Sequence, residues 1–210
     1  MKKSAIFSVT AVLFTVVILC ASVRVMAQNT RSVEDAHGLP VGVRAPDFQA
    51  IDADSVTFKL AEALKKGPVV MIFYRGQWCP ICNRHLAAVQ DSLKLITDRG
   101  ARVVAVSPQK PEYLEKMAGK TGATFRLLYD KSYAISDAYD VTFTPESWQL
   151  IRYNKGLNAK LKESQSDDSQ RLPIPATFLI NRDGVIVWRH FDPNYKNRST
   201  VKDILDHLPE

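Results

Sequence analysis

The sequence predicts an α/β protein in three layers, with a central mixed β-sheet flanked by helices and an N-terminal β-hairpin. Two nearly continuous apolar runs, "PVVMIFYR" (68–75) and "ARVVAVS" (101–107), are typical of strands buried on both faces. Segments of helical periodicity follow them, and strands that alternate with helices pair in parallel. In contrast, "ATFLI" and "VIVWRHF" flank the turn "NRDG" and predict an antiparallel hairpin.

The other elements follow in chain order from residue 41. The stretch "VGVRAPDFQAIDADSVTFKL" has turn residues between short apolar runs and predicts the N-terminal hairpin, and "LAEALKKG" predicts a short helix closed by Gly67. The later elements are a helix from the cysteines to Gly100, a helix from Pro111 to Gly119, the strand "FRLLYD", the helix "KSYAISDAYDV" and a C-terminal helix "STVKDILDHL" capped by Ser199 or Thr200.

Residues 142–172 lack a regular pattern and contain the polar run "KESQSDDSQR". We interpret this segment as an insertion or long loop. It is either a mobile flap or solvated padding, and its composition favours padding.

The first 27 residues have the pattern of a secretory signal peptide. Lys2 and Lys3 supply the positive start, Ala5–Val23 is uncharged and mostly apolar, and "VMA" ends in a cleavage-like alanine. We therefore predict an exported protein, periplasmic or extracellular, with a flexible lead-in over residues 28–40 and one domain over residues 41–208. The alternative is a membrane anchor over residues 5–23, and we expect membrane contact only if that segment is uncleaved.

Composition and charge exclude some classes of partner. The chain has 210 residues, of which 46% are hydrophobic and 24% charged, a normal globular balance. Lys2, Lys3 and Arg24 lie in the predicted signal peptide, which has no acidic residue, so its removal lowers the formal charge from +6 to +3. Because no basic stripe with interleaved aromatic residues occurs either, we expect no nucleic-acid partner.

The stretch "RGQWCPICNRH" (75–85) holds the two cysteines that remain once Cys20 leaves with the signal peptide. Export favours disulfides. A bridge between Cys79 and Cys82 closes a very short loop and adds little stability, so a chemical function is the better explanation.

The predicted position of these cysteines, between a buried strand and the start of a helix, favours negative charge on sulfur. We expect a lowered pKa and attacking chemistry at Cys79, with Pro80 suited to the first helical turn. Cys82, about one turn further, is expected to be more buried and to resolve the reaction.

Metal and haem sites fit the residues less well. A structural zinc site needs four ligands, whereas the cysteine pair and His85 supply three. Covalent haem requires a histidine directly after the second cysteine, where this chain has Asn83. We therefore predict no metal and no cofactor, and interpret His85 as a flanking helix residue that can tune the thiols electrostatically.

Pro175 directly precedes the predicted strand "ATFLI". A cis peptide bond there would force a tight turn and present backbone near the sulfurs, whereas an ordinary trans bond is the alternative.

Together these residues resemble the thioredoxin-like superfamily and, more narrowly, its AhpC/TSA (alkyl hydroperoxide reductase/thiol-specific antioxidant), peroxiredoxin-like branch. The resemblance covers residues 41–208 and rests on "VGVRAPDF", "FYRGQWCPIC", "LYDKSYAISDAYDV" and "IPATFLI" before "NRDG". It implies a four- or five-stranded sheet with flanking helices and thiol chemistry at the edge of the sheet.

Two alignments of the active segment disagree. Matched to thioredoxins through Trp78, Cys79 is the nucleophile and Cys82 the resolving thiol. Matched to peroxiredoxins through "FY" (73–74), Cys82 takes the peroxidatic position, Cys79 replaces a threonine and Arg75 replaces a proline.

Further departures from both families appear elsewhere in the chain. Pro175 stands where peroxiredoxins carry an arginine. Phe73 stands about where thioredoxins have a buried acid, so proton exchange with Cys82 needs another route.

The hypothesis that results is an exported thiol–disulfide oxidoreductase. Cys79 attacks a disulfide, and Cys82 then displaces the product and leaves a Cys79–Cys82 disulfide. Trp78 and Pro175 shape the docking surface, and Arg75 either holds the thiolate charge or is a solvated residue at the strand end.

Two alternatives stay open: a thiol-dependent peroxidase that reduces hydroperoxides, and a non-catalytic binding module on the same scaffold. The expected partners are protein or low-molecular-weight thiols and disulfides, possible hydroperoxide substrates, and an external reductant that the sequence does not identify.

Overall fold

The structure of the chain is a computed structural model that describes residues 31–208, so the predicted signal peptide lies outside the described residues. The strands are β1 (Gln49–Ile51), β2 (Thr57–Lys59), β3 (Val69–Phe73), β4 (Arg102–Ser107), β5 (Arg126–Tyr129), β6 (Thr142–Phe143), β7 (Leu172–Pro173), β8 (Ala176–Ile180) and β9 (Ile186–Phe191). The helices are α1 (Leu60–Leu64), α2 (Pro80–Asp91), α3 (Leu93–Thr97), α4 (Pro111–Thr121), α5 (Ala134–Ala138), α6 (Ser147–Ile151), α7 (Leu161–Ser164) and α8 (Val201–His207), with a 3₁₀ turn at Lys131–Tyr133 and a π-helical turn at Arg152–Gly156.

A five-stranded sheet in the order β5-β4-β3-β8-β9 forms the centre of the domain. The pairs β3–β4 and β4–β5 are parallel, whereas β3–β8 and β8–β9 are antiparallel. The mixed sheet predicted from the alternating strands and helices and from the "NRDG" hairpin is therefore confirmed. The N-terminal hairpin is also confirmed, since β1 and β2 pair antiparallel with Ala50 opposite Phe58.

The central strand β3 is buried along its whole length, which explains its unbroken apolar sequence. Alternate side chains enter different layers of the core. Val70 and Ile72 join the layer that contains both cysteines, and Met71 and Phe73 join the layer under the N-terminal hairpin. Burial of each such side chain stabilises the fold by about 1.5–3 kcal/mol, so this strand is a firm support for the loop that follows it.

Two helix boundaries differ from, or narrow, what the sequence predicts. The helix predicted from the cysteines to Gly100 is divided at Ser92, whose φ of −109° and ψ of 10° separate α2 from α3. Of the two predicted caps of the C-terminal helix, Thr200 is the one used, because its side chain accepts the Asp203 N–H at 3.1 Å.

The flexible lead-in expected over residues 28–40 is corrected by the described part of that segment. The backbone N–H of Gly38 donates to the Asp140 carbonyl at 2.9 Å, and Leu39 donates to Tyr139 at 3.2 Å. Arg31 also pairs with the Asp140 carboxylate. Residues 31–40 are thus attached to the domain by long-range contacts, which a polar sequence without periodicity does not reveal.

The interpretation of residues 142–172 as solvated padding is wrong. The segment contains β6, α6, the π-helical turn, α7 and β7, and its two strands pair antiparallel with Phe143 opposite Leu172. Tyr153 and Leu161 are buried in the layer that holds the cysteines. A few apolar anchors among polar residues fasten the segment, so its average composition was misleading.

Among residues 31–208, no helix combines the length and apolar character needed to cross a bilayer.

Buried Asp130 connects the end of β5 to α5 and offers a test of how this junction is held. Its carboxylate accepts the N–H groups of Ile135 at 2.8 Å and Ser136 at 2.9 Å, and the Ser136 hydroxyl at 2.5 Å.

We expect Asp130→Ala to lower the free energy of unfolding by about 1–3 kcal/mol, because buried donors lose their acceptor. Urea unfolding followed by circular dichroism measures the change. Asp91→Ala, on the exposed face of α2, is the matched control and should shift it by less than about 0.5 kcal/mol; equal effects of the two variants would contradict the prediction.

Candidate active site

The cysteines lie where the chain leaves β3 and enters α2. Cys79 is the N-cap of α2, with an extended backbone, and its Sγ accepts the backbone N–H of Cys82 at 3.4 Å. Pro80 is the first helical residue and is exposed, as expected for a residue without an N–H at that position. The start of a helix favours negative charge, so this position supports a thiolate.

A tight turn brings the strand end to the helix start. The Cys79 N–H donates to the Gly76 carbonyl at 3.1 Å. Gly76 has a φ of +151°, and a Cβ there would lie 2.6 Å from Trp78 Nε1 and 2.7 Å from the Gln109 side chain, so the turn requires glycine. Buried Gln109 accepts the Gln77 N–H at 2.6 Å and holds the turn from β4.

Both sulfurs are shielded from solvent, and the expectation that Cys79 is the more exposed cysteine is wrong. Cys79 and Cys82 each have a relative exposure of 0%. The shielding groups come from segments far away in sequence, so spacing within the motif could not reveal them. The structure has Cys79 and Cys82 as free thiols, and the Cys79–Cys82 disulfide stays a prediction.

Arg75 is a buried ion partner of the sulfurs and not a solvated residue at the strand end. It is 2% exposed, and its Nη2 donates to Cys79 Sγ at 3.3 Å while its Nη1 donates to Tyr153 Oη at 3.1 Å. Burial alone would lower the pKa of Arg75, but the two sulfurs and Tyr153 raise it, so the guanidinium stays charged.

Three aromatic rings surround this guanidinium. Its Cζ lies 5.3 Å from the ring centroid of Trp78, 5.2 Å from that of Tyr153 and 3.9 Å from that of Tyr195. Cation–π contacts of this kind strengthen when water is excluded. We call Trp78, Tyr153 and Tyr195 the aromatic cage; Trp78 comes from the motif, Tyr153 from the π-helical turn and Tyr195 from the loop before α8.

A second arginine, which the sequence reasoning missed, reaches the other sulfur. Arg198 Nη2 lies 3.7 Å from Cys82 Sγ and comes from the same loop as Tyr195. No motif marks Arg198, because its position depends on how β9 and α8 return the chain to the sheet. The sequence analysis also missed Tyr153, Tyr195 and Gln109, because each comes to the site from a part of the chain outside the motif.

The pair of thiols holds its negative charge mainly on Cys82. Burial alone would raise the pKa of Cys82, but a hydrogen bond from Cys79 and the charges of Arg198 and Arg75 lower it well below its usual range. The same hydrogen bond, together with burial, raises the pKa of Cys79. This order is the reverse of the one expected from the helix start alone.

The remaining predicted residues lie around the sulfurs. Trp78 is 5% exposed and packs on Tyr153 with ring centroids 5.1 Å apart. Pro175 is buried beside the end of β3, since Ile72 pairs with Thr177 in the sheet register. Its peptide bond is trans, as no cis bond occurs in residues 31–208.

His85 lies one turn after Cys82 and is held in its neutral form. Its Nε2 is 3.4 Å from Ser199 Oγ, which in turn is 2.8 Å from Thr177 Oγ1. Burial and the charge of Arg198 lower the pKa of His85 to about 4. Within the described residues, no three His, Cys, Asp or Glu side chains are grouped so that they could hold a metal ion.

The fold and the cysteine pair at the start of α2 define a thiol-based oxidoreductase with a thioredoxin-like fold. The chain belongs to the AhpC/TSA family, whose sequence pattern matches residues 41–189.

The chain is similar both to thiol-disulfide oxidoreductases and to peroxiredoxins. The chain is 25% identical over 169 residues to the thiol-disulfide oxidoreductase ResA of Geobacillus thermodenitrificans, covering 80% of this chain and 76% of the relative. It is 28% identical over 153 residues to peroxiredoxin Bcp of Bacillus subtilis, covering 72% of this chain and 85% of the relative.

Solved structures show the same fold. Peroxidoxin BcpB from Mycobacterium tuberculosis superimposes with a TM-score of 0.63 and 19% identity, covering 81% of this chain and 96% of that one. Reduced Prx3 in complex with H2O2 from Vibrio vulnificus gives a TM-score of 0.64 and 14% identity, covering 81% of this chain and 99% of that one.

His85 makes the stability of the domain sensitive to acid. With a folded pKa of about 4 and an ordinary value of 6.5, the unfolded chain binds more protons than the folded domain between these two pH values. Stability therefore falls as the pH is lowered through this range, by up to about 1.4 kcal/mol per pH unit. His85→Gln removes this contribution, so its loss of stability from pH 7 to pH 5 should be about 1–2 kcal/mol smaller than that of the wild type.

Urea unfolding at the two pH values measures this difference. The control is Leu95→Gln, which introduces the same side chain at an exposed position without a titratable group and should show the same loss between pH 7 and pH 5 as the wild type. If His85→Gln also behaved like the wild type, the neutral state of His85 would be refuted.

Proposed function

We propose that the protein reduces small hydroperoxides at Cys82 and resolves the product with Cys79. The Cys82 thiolate attacks the peroxide oxygen, the O–O bond breaks, and Cys82 becomes a sulfenic acid. Cys79 then displaces hydroxide from that sulfur and forms the Cys79–Cys82 disulfide. An external thiol, on a protein or a small molecule, returns the pair to the dithiol by thiol–disulfide exchange.

The observation that carries this proposal is the complete burial of a sulfur that also contacts a cation. Cys82 is 0% exposed and Arg198 lies 3.7 Å from its Sγ. A small hydroperoxide needs little space to reach such a sulfur, whereas a disulfide on the surface of a folded partner does not reach it without a larger opening. The names of the peroxiredoxin relatives are in line with this substrate class.

A second candidate is disulfide exchange started by Cys79, which is favoured by the helix start. Cys79 Sγ accepts both the Cys82 N–H at 3.4 Å and Arg75 Nη2 at 3.3 Å. Both donors stabilise a thiolate at that sulfur. The ResA relatives are named thiol-disulfide oxidoreductases, which is in line with this candidate.

Serine variants in a Cys20→Ser background separate the two candidates. With a hydroperoxide as the oxidant, we expect Cys82→Ser to lose the reaction, and Cys79→Ser to form a stable sulfenic acid at Cys82 without forming the disulfide. Peroxide consumption and mass spectrometry of the trapped sulfenic acid measure these outcomes, with Cys20→Ser alone as the control.

The same variants are then tested for insulin reduction. Peroxide turnover that survives in Cys82→Ser but disappears in Cys79→Ser would refute attack by Cys82. Insulin reduction without any peroxide turnover in the Cys20→Ser control would favour the second candidate, and turnover of neither substrate would refute both.

We also propose that the protein is exported, with residues 1–27 removed. The support is the charged start, the apolar run and the alanine at position 27. Expression in a bacterium that secretes proteins with signal peptides should yield a mature chain that begins at Gln28. Mass spectrometry of the N-terminal peptide from the non-cytoplasmic fraction measures this outcome. A Leu13→Arg variant, which breaks the apolar run, should remain unprocessed; a full-length chain that fractionates with membranes would instead support the anchor over residues 5–23.

A further inference from the structure

Each of the two sulfurs has its own arginine. Arg75 Nη2 contacts Cys79 Sγ at 3.3 Å, and Arg198 Nη2 contacts Cys82 Sγ at 3.7 Å. The two cations come from different parts of the chain, since Arg75 follows β3 and Arg198 precedes α8. A thiolate on Cys82 accounts for the contact with Arg198. The charge of Arg75 also favours that thiolate, but the side chain of buried Arg75 makes its hydrogen bond to Cys79.

From this arrangement we infer that the negative charge moves from Cys82 to Cys79 during hydroperoxide reduction, with the Cys79 thiol as the general acid and Arg75 as the partner of the thiolate that results. This inference rests on the proposed function and adds the route of the proton.

Atoms and charge balance over the two steps. The Cys82 thiolate forms a bond to the terminal peroxide oxygen, the O–O bond breaks, and the leaving alkoxide takes the proton of the Cys79 thiol to become an alcohol. The products are a sulfenic acid on Cys82 and a thiolate on Cys79. That thiolate attacks the Cys82 sulfur, the S–S bond forms, and hydroxide leaves and takes a proton from solvent.

Contacts around Cys79 are arranged for the thiolate that this transfer produces. Its Sγ already faces the Cys82 N–H and the Arg75 guanidinium before it loses its proton. A hydrogen bond to Cys82 and burial raise the pKa of Cys79, so in the resting site it is the thiol that retains a proton to give. Proton donation to a leaving group contributes typically about 10²–10⁴-fold to a reaction rate.

The aromatic cage gives Arg75 a stable place while Cys79 is neutral. The Tyr195 ring centroid lies 3.9 Å from the guanidinium carbon, and Tyr153 Oη accepts a hydrogen bond from Nη1 at 3.1 Å. A buried cation without partners would be costly. Arg75 is therefore stable beside the uncharged Cys79 thiol and does not need to move when the thiolate forms.

The first test varies the leaving group of the oxidant. In single-turnover reactions of the full chain, in the Cys20→Ser background, we expect Cys79→Ala to slow sulfenic acid formation at Cys82 about 100-fold with tert-butyl hydroperoxide. With peracetic acid the effect should be far smaller, because the leaving carboxylate has a pKa near ~4 and needs no proton. Cys79→Ser, which keeps an O–H donor, should lie between.

The test compares the rates of the same variant with the two oxidants. Partial misfolding would slow both reactions equally and so would not produce the expected difference. Equal slowing with the two oxidants would overturn the transfer of a proton from Cys79. Absence of any sulfenic acid at Cys82 in the Cys79→Ser chain, with either oxidant, would instead refute the proposed function itself.

The second test removes the partner of the Cys79 thiolate. Arg75→Met should slow conversion of the Cys82 sulfenic acid into the disulfide by about tenfold or more, the effect of one lost charge-assisted hydrogen bond. Dimedone trapping would then capture more sulfenic acid than in wild type. The apparent pKa of this step should rise in Arg75→Met and return towards the wild-type value in Arg75→Lys.

Arg84→Met, which replaces an exposed arginine on the same helix, is the matched control and should form the disulfide at the wild-type rate. Tyr195→Leu removes one ring of the aromatic cage and should shift the trapped fraction in the same direction as Arg75→Met, by less. Disulfide formation in Arg75→Met at the wild-type rate and with an unchanged pH profile would overturn the assignment of Arg75 to the second step.

Discussion

The pairing of buried sulfur with buried guanidinium is the interaction on which the site depends. An unpaired charge in such a place is expensive, and removing one partner of a buried ion pair leaves the other without compensation. Here Arg75 faces Cys79 and is enclosed by aromatic rings, so the cation is stabilised without water. Because water does not screen the sulfurs, their nearest neighbours decide which of them carries the negative charge. The pKa values of the two thiols therefore depend on the positions of a few side chains.

The architecture explains how these neighbours are held. The fully buried strand β3 supplies a rigid base, the Gly76 turn directs the chain into α2, and two segments from later in the chain complete the enclosure. One of them, residues 142–172, brings Tyr153; the other, the loop before α8, brings Tyr195 and Arg198. Three parts of the chain that are distant in sequence thus meet around Arg75 and the two sulfur atoms, so a change in any of them alters the surroundings of the thiols.

The family contains relatives named for peroxide chemistry and for disulfide exchange, and the site has features that suit each. The cysteine at the N-cap position of a helix is the arrangement that lowers the pKa of an attacking thiol in disulfide exchange. By contrast, the hydrogen bond from Cys79 and the charge of Arg198 lower the pKa of Cys82 and so favour the negative charge one helical turn further along. The two features belong to one connected pair of thiols, which is why a cycle that uses both sulfurs as anions in turn accounts for more of the contacts than either function taken separately.

Local pattern was enough to predict the central sheet with its β8–β9 hairpin, the separate N-terminal hairpin, the position of the cysteines at the start of a helix and the family. Hydrophobic periodicity, turn residues and motif spacing act over a few neighbouring residues. Local pattern failed for residues 31–40 and 142–172, where long-range hydrogen bonds and a few buried anchors hold polar segments. It also assigned the lower pKa and the greater exposure to Cys79. The order of the two pKa values depends on the burial of both sulfurs, on the hydrogen bond between the thiols and on the charge of Arg198 beside Cys82. Burial and Coulomb energy depend on distances in space, and only the folded chain sets those distances.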